Sequence, residues 1–186
     1  FIIMVEVVNI VASGHFGQEI ALRPIYTDLN SFDKKYEPEQ FPGLQIRFDD
    51  DNTVLTIYTT GSYTIMGAET RAEVNEIYDA FIGRISDLGV DLSDTSEPPK
   101  VRNLICKANI EQNLNLSMLT IGLGMESVEY EPEQSPFIYY RPQEFDCLIT
   151  IPANGEVIVT GVKTLDQAEK VFNHLVNRIE ELCNIN

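Results

Sequence analysis

Tyr36-Glu37-Pro38-Glu39-Gln40 returns unchanged as Tyr130-Glu131-Pro132-Glu133-Gln134. The copies stand 94 positions apart, from Tyr36 to Tyr130, and the same spacing carries Asn9 onto Asn103, Arg47 onto Arg141, Gly61 onto Gly155, Gly67 onto Gly161 and Thr70 onto Thr164. One gapless register over so many positions marks a tandem duplication, which decides the architecture before any single element is read. The boundary falls in Asp91 to Pro99, a polar stretch ending in two prolines. It divides the chain into a first repeat, 1–92, and a second, 93–186.

Each repeat reads as one αβ unit. In the first, Val5 to Ala12 is rich in β-branched residues, and Arg23 to Phe32 fits a short helix with Pro24 in its first turn. Strands follow at Leu44–Phe48, Val54–Thr59 and Tyr63–Met66, separated by Asp49-Asp50-Asp51-Asn52 and Thr60-Gly61-Ser62. A long helix closes the unit. Thr70-Arg71-Ala72-Glu73 is a capping box, repeated as Thr164-Leu165-Asp166-Gln167. Val74, Ile77, Tyr78, Phe81, Ile82, Ile85 and Leu88 then recur at helical spacing, as do Ala168, Val171, Phe172, Leu175, Val176, Ile179 and Leu182. Both stripes are expected to be core.

Alternation along the strands divides their side chains between two faces. Leu55, Ile57, Tyr63 and Ile65 share one face in repeat 1, and Ile149, Ile151, Val157 and Val159 share it in repeat 2. This face belongs under the capped helices. The other carries Thr56, Tyr58, Thr64 and Met66, then Thr150, Pro152, Ile158 and Thr160. A face left to water would be studded with Lys and Glu, whereas these positions hold no charge. The pattern points to an open face that meets a partner, with no acidic neighbours on it.

Charge speaks against the commonest partner of such a face. The chain carries 29 Asp and Glu against 13 Lys and Arg, a net charge of −16, with the excess shared by both halves. Nucleic-acid binders ordinarily present a basic surface, because neutralised phosphates supply much of their affinity. The three cysteines, Cys106, Cys147 and Cys183, are far apart and odd in number, which fits a reducing, intracellular compartment better than a disulfide framework. No apolar run approaches the ~18 residues of a membrane span.

Val8-Asn9-Ile10-Val11-Ala12-Ser13, Tyr36 through Leu44 (YEPEQFPGL) and Val159-Thr160-Gly161-Val162-Lys163, together with the duplication, make the chain resemble the TATA-box-binding protein family over essentially its whole length. The acidic balance and similar halves look archaeal, and scarce lysine fits a high-salt cytoplasm. The resemblance implies an α+β saddle: a curved antiparallel sheet of about ten strands, four helices on its convex side, and a concave face that meets the DNA minor groove. It implies that Asn9 and Asn103 donate to base acceptors, that Val11, Ile105, Ile158 and Thr160 line the groove contact beside Thr56, Thr64, Met66 and Thr150, and that Arg47 and Arg141 reach phosphates. Strand-end capping is the plainer role for the asparagines, and ordinary packing for Ile158. Family members carry two aromatic wedges per repeat. These fall on Phe41 and Tyr58 in repeat 1 but on Ser135 and Pro152 in repeat 2, where Phe137 stands two residues past Ser135. The second repeat is therefore expected to kink DNA less, or differently. Glu131 and Glu133 lie where the family's stirrup loop meets transcription factor B; as solvated loop acids they need no partner.

Nothing in the chain reads as catalytic. His15 and His174 lack companions at metal-ligand spacing, Gly14-His15-Phe16-Gly17 reads as a turn, and Asp49-Asp50-Asp51 lacks the remaining ligands of a calcium loop. The expectation is a transcription initiation factor, neither enzyme nor cofactor carrier, that binds TATA-like duplex. The rival expectation is a paralogue with weak or altered DNA binding that works as a protein-interaction or regulatory module.

Overall fold

A computed structural model describes residues 3–30, 32–48, 52–92 and 94–183. It divides into two compact units: Asn9–Arg102, and Phe1–Val8 with Asn103–Asn186. The first repeat runs β1 (Glu6–His15), α1 (Leu22–Asp28), β2 (Asp33–Lys35), β3 (Leu44–Arg47), β4 (Val54–Ile57), β5 (Ser62–Ala68) and α2 (Arg71–Asp87). The second runs β6 (Lys100–Asn109), α3 (Leu116–Leu123), β7 (Val128–Glu129), β8 (Phe137–Tyr140), β9 (Leu148–Pro152), β10 (Glu156–Val162) and α4 (Leu165–Cys183). The strand orders are β2-β3-β4-β5-β1 and β6-β10-β9-β8-β7, the same path in each repeat, and the pairings within each are antiparallel. Ten strands and four helices agree with the expected count.

Element boundaries shift from the sequence reading by up to four residues, β4 ending at Ile57 and β5 running on to Ala68, and two short strands are added. The first helix ends at Asp28, short of Phe32; Leu29 closes it by donating to the Ile25 carbonyl, and its extended backbone turns the chain toward β2. The strand β1 extends through His15, so Gly14-His15 is strand and the turn begins after buried Phe16. The edge strands β2 and β7 leave no mark in the hydrophobic pattern, being three and two residues long. The Asp49–Asp51 turn lies outside the described residues.

The core of each unit sits between sheet and long helix. Phe16 stacks on Tyr63 at 4.5 Å and meets Phe81 of α2 at 5.4 Å. Burying side chains of this size stabilises by ~1.5–3 kcal/mol each. Val74, Ile77, Phe81 and Ile85 are buried on α2, and Ala168, Val171, Phe172, Leu175, Val176 and Ile179 on α4. The stripe on α2 ends one residue early: Leu88 is an exposed C-cap. The inner face is not wholly apolar, because Tyr63 donates its hydroxyl to the Glu97 carbonyl at 2.7 Å. Burial raises the pKa of that phenol.

The cap of α2 forms as read, and that of α4 keeps its threonine half while its glutamine reaches one residue further back. Thr70 Oγ1 accepts from the Glu73 amide at 3.2 Å, and Glu73 reaches back to the amides of Glu69 and Thr70. In α4, Thr164 Oγ1 accepts from the Gln167 amide at 3.2 Å, while Gln167 accepts from the Lys163 amide at 2.9 Å. Among the described residues no helix is long and apolar enough to cross a membrane.

Candidate nucleic-acid interface

The open face of each repeat begins with a bulge. In the β1–β5 pairing, Ile10 faces Ala68 and Val11 faces Met66, leaving Gly67 without a partner. In β6–β10, Leu104 faces Val162 and Ile105 faces Thr160, leaving Gly161 without one. A bulge residue forfeits its ladder hydrogen bond, so its N–H must find another acceptor. Asn9 Oδ1 accepts from Gly67 N–H at 2.8 Å, and Asn103 Oδ1 accepts from Gly161 N–H at 2.7 Å. Both glycines have a positive φ, 98° and 109°, and a Cβ on Gly67 would run into the Asn52 carbonyl. Each asparagine thus has its side-chain oxygen committed to a backbone amide, and what it has left to offer is an NH2, a pure donor.

Beside Asn9, the face of repeat 1 is built from cross-strand neighbours. Val11 pairs with Met66, Ser13 with Thr64, Thr64 with Thr56, Met66 with Val54, and Val54 with Arg47. Met66 is 46% exposed. Thr56 lies on this face by register yet is only 6% exposed. The reason is Phe41, whose ring folds back over Gly43: a Cβ on that glycine would fall 2.6 Å from Phe41 Cε1 and 2.7 Å from Thr56 Cγ2. Phe41 is itself 39% exposed and meets Tyr58 edge-on at 6.1 Å.

In repeat 2, Ile105 pairs with Thr160, Ile158 with both Lys107 and Thr150, Thr150 with Tyr139, and Pro152 with Phe137. Phe137 is 36% exposed and meets Tyr139 edge-on at 6.5 Å. Arg141, directly after β8, is exposed and donates its amide to the Ser127 carbonyl at 2.9 Å. The Tyr-Glu-Pro-Glu loops are alike: Glu37 O accepts from the amides of Gln40 and Phe41, and Glu131 O from those of Gln134 and Ser135, all at 2.9 Å. Glu131 and Glu133 are exposed.

The expectation of a face without charge or acidic neighbours is corrected. Lys107 pairs across from Ile158 and is bonded to Glu6 at 3.3 Å, Glu129 pairs across from Tyr139, and Asp33 pairs across from Arg47. That expectation rests on the alternation in β4, β5, β9 and β10, whereas these charges come from the other strands, β2, β3, β6 and β7. Alternation along β6, with Asn103, Ile105 and Lys107 at every second position, is the sequence signal for Lys107. Tyr139 joins the face too, and its signal is alternation with Phe137.

Residues 4–88 and 98–182 both match the family model described as transcription factor TFIID, or TATA-binding protein, TBP. TATA-box-binding protein C of Halobacterium salinarum is 36% identical over 96% of this chain and 98% of its own length. The TATA-box-binding protein of Natronomonas pharaonis is 35% identical over 96% of this chain and 94% of its own. The solved structure of Methanococcus jannaschii TBP superposes with a TM-score of 0.83 at 30% identity, covering 95% of this chain and 98% of that one. Two matched segments in the register of the internal duplication, with full-length relatives beside them, place this chain in the transcription factor TFIID, or TATA-binding protein, family.

Proposed function

We propose that this chain is a general transcription initiation factor that binds TATA-like promoter DNA in the minor groove, bends it, and recruits transcription factor B. The observation that carries the reading is the pair of asparagines. Gly67 and Gly161 take both side-chain oxygens, so each repeat keeps an asparagine NH2 to offer from its open face. The minor groove of A·T pairs offers only acceptors, adenine N3 and thymine O2, and a G·C pair adds the guanine N2 amino group as a donor. A donor-only contact among Val11, Met66, Ile105 and Ile158 matches the first and clashes with the second.

The remaining roles follow from position. Phe41 and Tyr58 form a partly exposed ring pair at one end of the repeat-1 face, suited to the apolar wedge that minor-groove proteins insert between base steps; the family's founding member is one of the standard examples of that mode. Thr64, Thr150 and Thr160 bring hydroxyls to this face from β5, β9 and β10, Arg47 and Arg141 reach phosphates, and Thr56 supports the Phe41 ring. Glu131 and Glu133 offer two carboxylates to a basic surface of transcription factor B. The test is a duplex labelled at both ends, titrated with protein in molar salt. A TATA duplex should bind and its ends draw together, and a G·C duplex should do neither. Binding without end-to-end approach would remove bending from the proposal, and equal binding of both duplexes would remove the proposal itself.

A further inference from the structure

We infer that Phe137 and Tyr139 form the aromatic wedge of the second repeat, rebuilt from new positions and clamped by Ser135. The inference rests on the minor-groove reading above and deepens it. In repeat 1 the ring of Phe41 hovers over Gly43, in space that no Cβ at position 43 could share. The duplication aligns Phe41 with Ser135 and Gly43 with Phe137. Ring and small residue have changed places together. The repeat-2 ring is thus rooted in the strand at the position over which the repeat-1 ring folds.

The second ring has moved as well. Tyr58 aligns with Pro152, which has no aromatic face, and Tyr139 aligns with Gln45. Tyr139 pairs with Thr150 as Gln45 pairs with Thr56, so it stands on the open face. Phe137 and Tyr139 meet edge-on at 6.5 Å and 75°, close to the 6.1 Å and 63° of Phe41 and Tyr58. Edge-to-face contacts in this range hold two rings in fixed relative orientation. Ser135, in the vacated wedge position, becomes a clamp. Its Oγ lies 3.1 Å from the Tyr139 hydroxyl and 3.4 Å from the Phe137 amide that donates to it. That bridge ties both ends of the rebuilt pair to the turn before β8. Glu129 pairs across from Tyr139, which sets a carboxylate near the approaching phosphates and makes this end of the molecule depend on salt screening.

The experiment measures affinity and end-to-end approach on a TATA duplex in molar salt, with urea midpoints recorded for every variant. Base–aromatic stacking, as measured in single-strand binders, translates into losses on the order of tenfold per ring. Phe137→Ala and Tyr139→Ala are each expected to weaken binding about tenfold and open the bend, comparably to Phe41→Ala, while Ser135→Ala has a smaller effect. Phe137→Gly should lose binding, and the double variant Ser135→Phe with Phe137→Gly, which recreates the repeat-1 arrangement, should recover it. If wild type fails to bind or bend the duplex, the proposed function falls. If wild type binds and Phe41→Ala weakens it, but Phe137→Ala and Tyr139→Ala, folded by their midpoints, do not, the function stands and this inference is overturned.

Discussion

An asparagine side chain carries an acceptor and a donor, and which of them faces a ligand decides what it reads. Here the bulge glycines take the acceptor, so replacing oxygen-bearing and nitrogen-bearing halves separately distinguishes support from recognition. Asn9→Asp keeps an oxygen for Gly67 N–H and loses the NH2; its urea midpoint is expected to stay near that of wild type while TATA binding is lost. Asn9→Ala leaves the Gly67 N–H without its partner, a loss of about 1–3 kcal/mol where the group is kept from water, and binding is lost as well. Paired urea titrations and duplex titrations check both statements; an Asn9→Asp protein that binds as well as wild type would make the asparagine purely structural. The duplication locates both asparagines, because identical residues in register identify themselves. Thr56 and Tyr139 are less legible. Period-two alternation places a residue on a face, but cannot tell that a ring from a neighbouring turn folds over it, or that two rings on one strand replace a pair drawn from two segments.

At the scale of elements, the strongest signals are those with many residues behind them. The long helices are readable because capping box and apolar stripe agree, and the structure places Thr70 and Thr164 at their N-caps. Thr70→Ala is expected to lower stability by about 1 kcal/mol, the usual worth of such a cap, and to leave DNA affinity unchanged, since the cap lies on the helix and not on the open face. Chemical denaturation beside a duplex titration measures both quantities. The edge strands β2 and β7 are invisible for a physical reason: Asp33-Lys34-Lys35 and Val128-Glu129 have one strand partner each and little apolar surface to bury, and Lys34 is held through its ammonium, which donates to the Tyr26 carbonyl. The same holds for the end of α1, which is set by where β2 must begin and not by propensity.

The whole molecule carries −16 into contact with a polyanion. Basic DNA-binding proteins lose affinity as salt rises, because counterions released from phosphates no longer favour the complex. In this chain 29 acids repel the duplex at long range, and salt shortens that repulsion from ~10 Å at 0.1 M to ~3 Å at 1 M. The apolar part of the proposed minor-groove contact, Val11, Met66, Ile105 and Ile158, is not weakened by salt. TATA affinity is therefore expected to rise from dilute buffer toward molar salt, as read from isothermal titrations across that range; a steep monotonic fall would place the interface on a basic surface instead. At the Tyr-Glu-Pro-Glu loop, Glu131→Lys with Glu133→Lys should abolish a ternary complex with transcription factor B while leaving the binary DNA complex intact, as gel shifts with and without that factor will report.

The central claim, that the asparagine amides read the minor groove of A·T pairs, is tested most directly by exchanging A·T for inosine·cytosine throughout the site. Inosine lacks the guanine N2 amino group, so its pair with cytosine presents an A·T-like minor groove and a G·C-like major groove. In molar salt the inosine·cytosine duplex is predicted to bind within a few-fold of the TATA duplex, and the G·C duplex at least tenfold more weakly. An inosine·cytosine duplex that binds as poorly as G·C would contradict the account, because recognition would then come from the major groove.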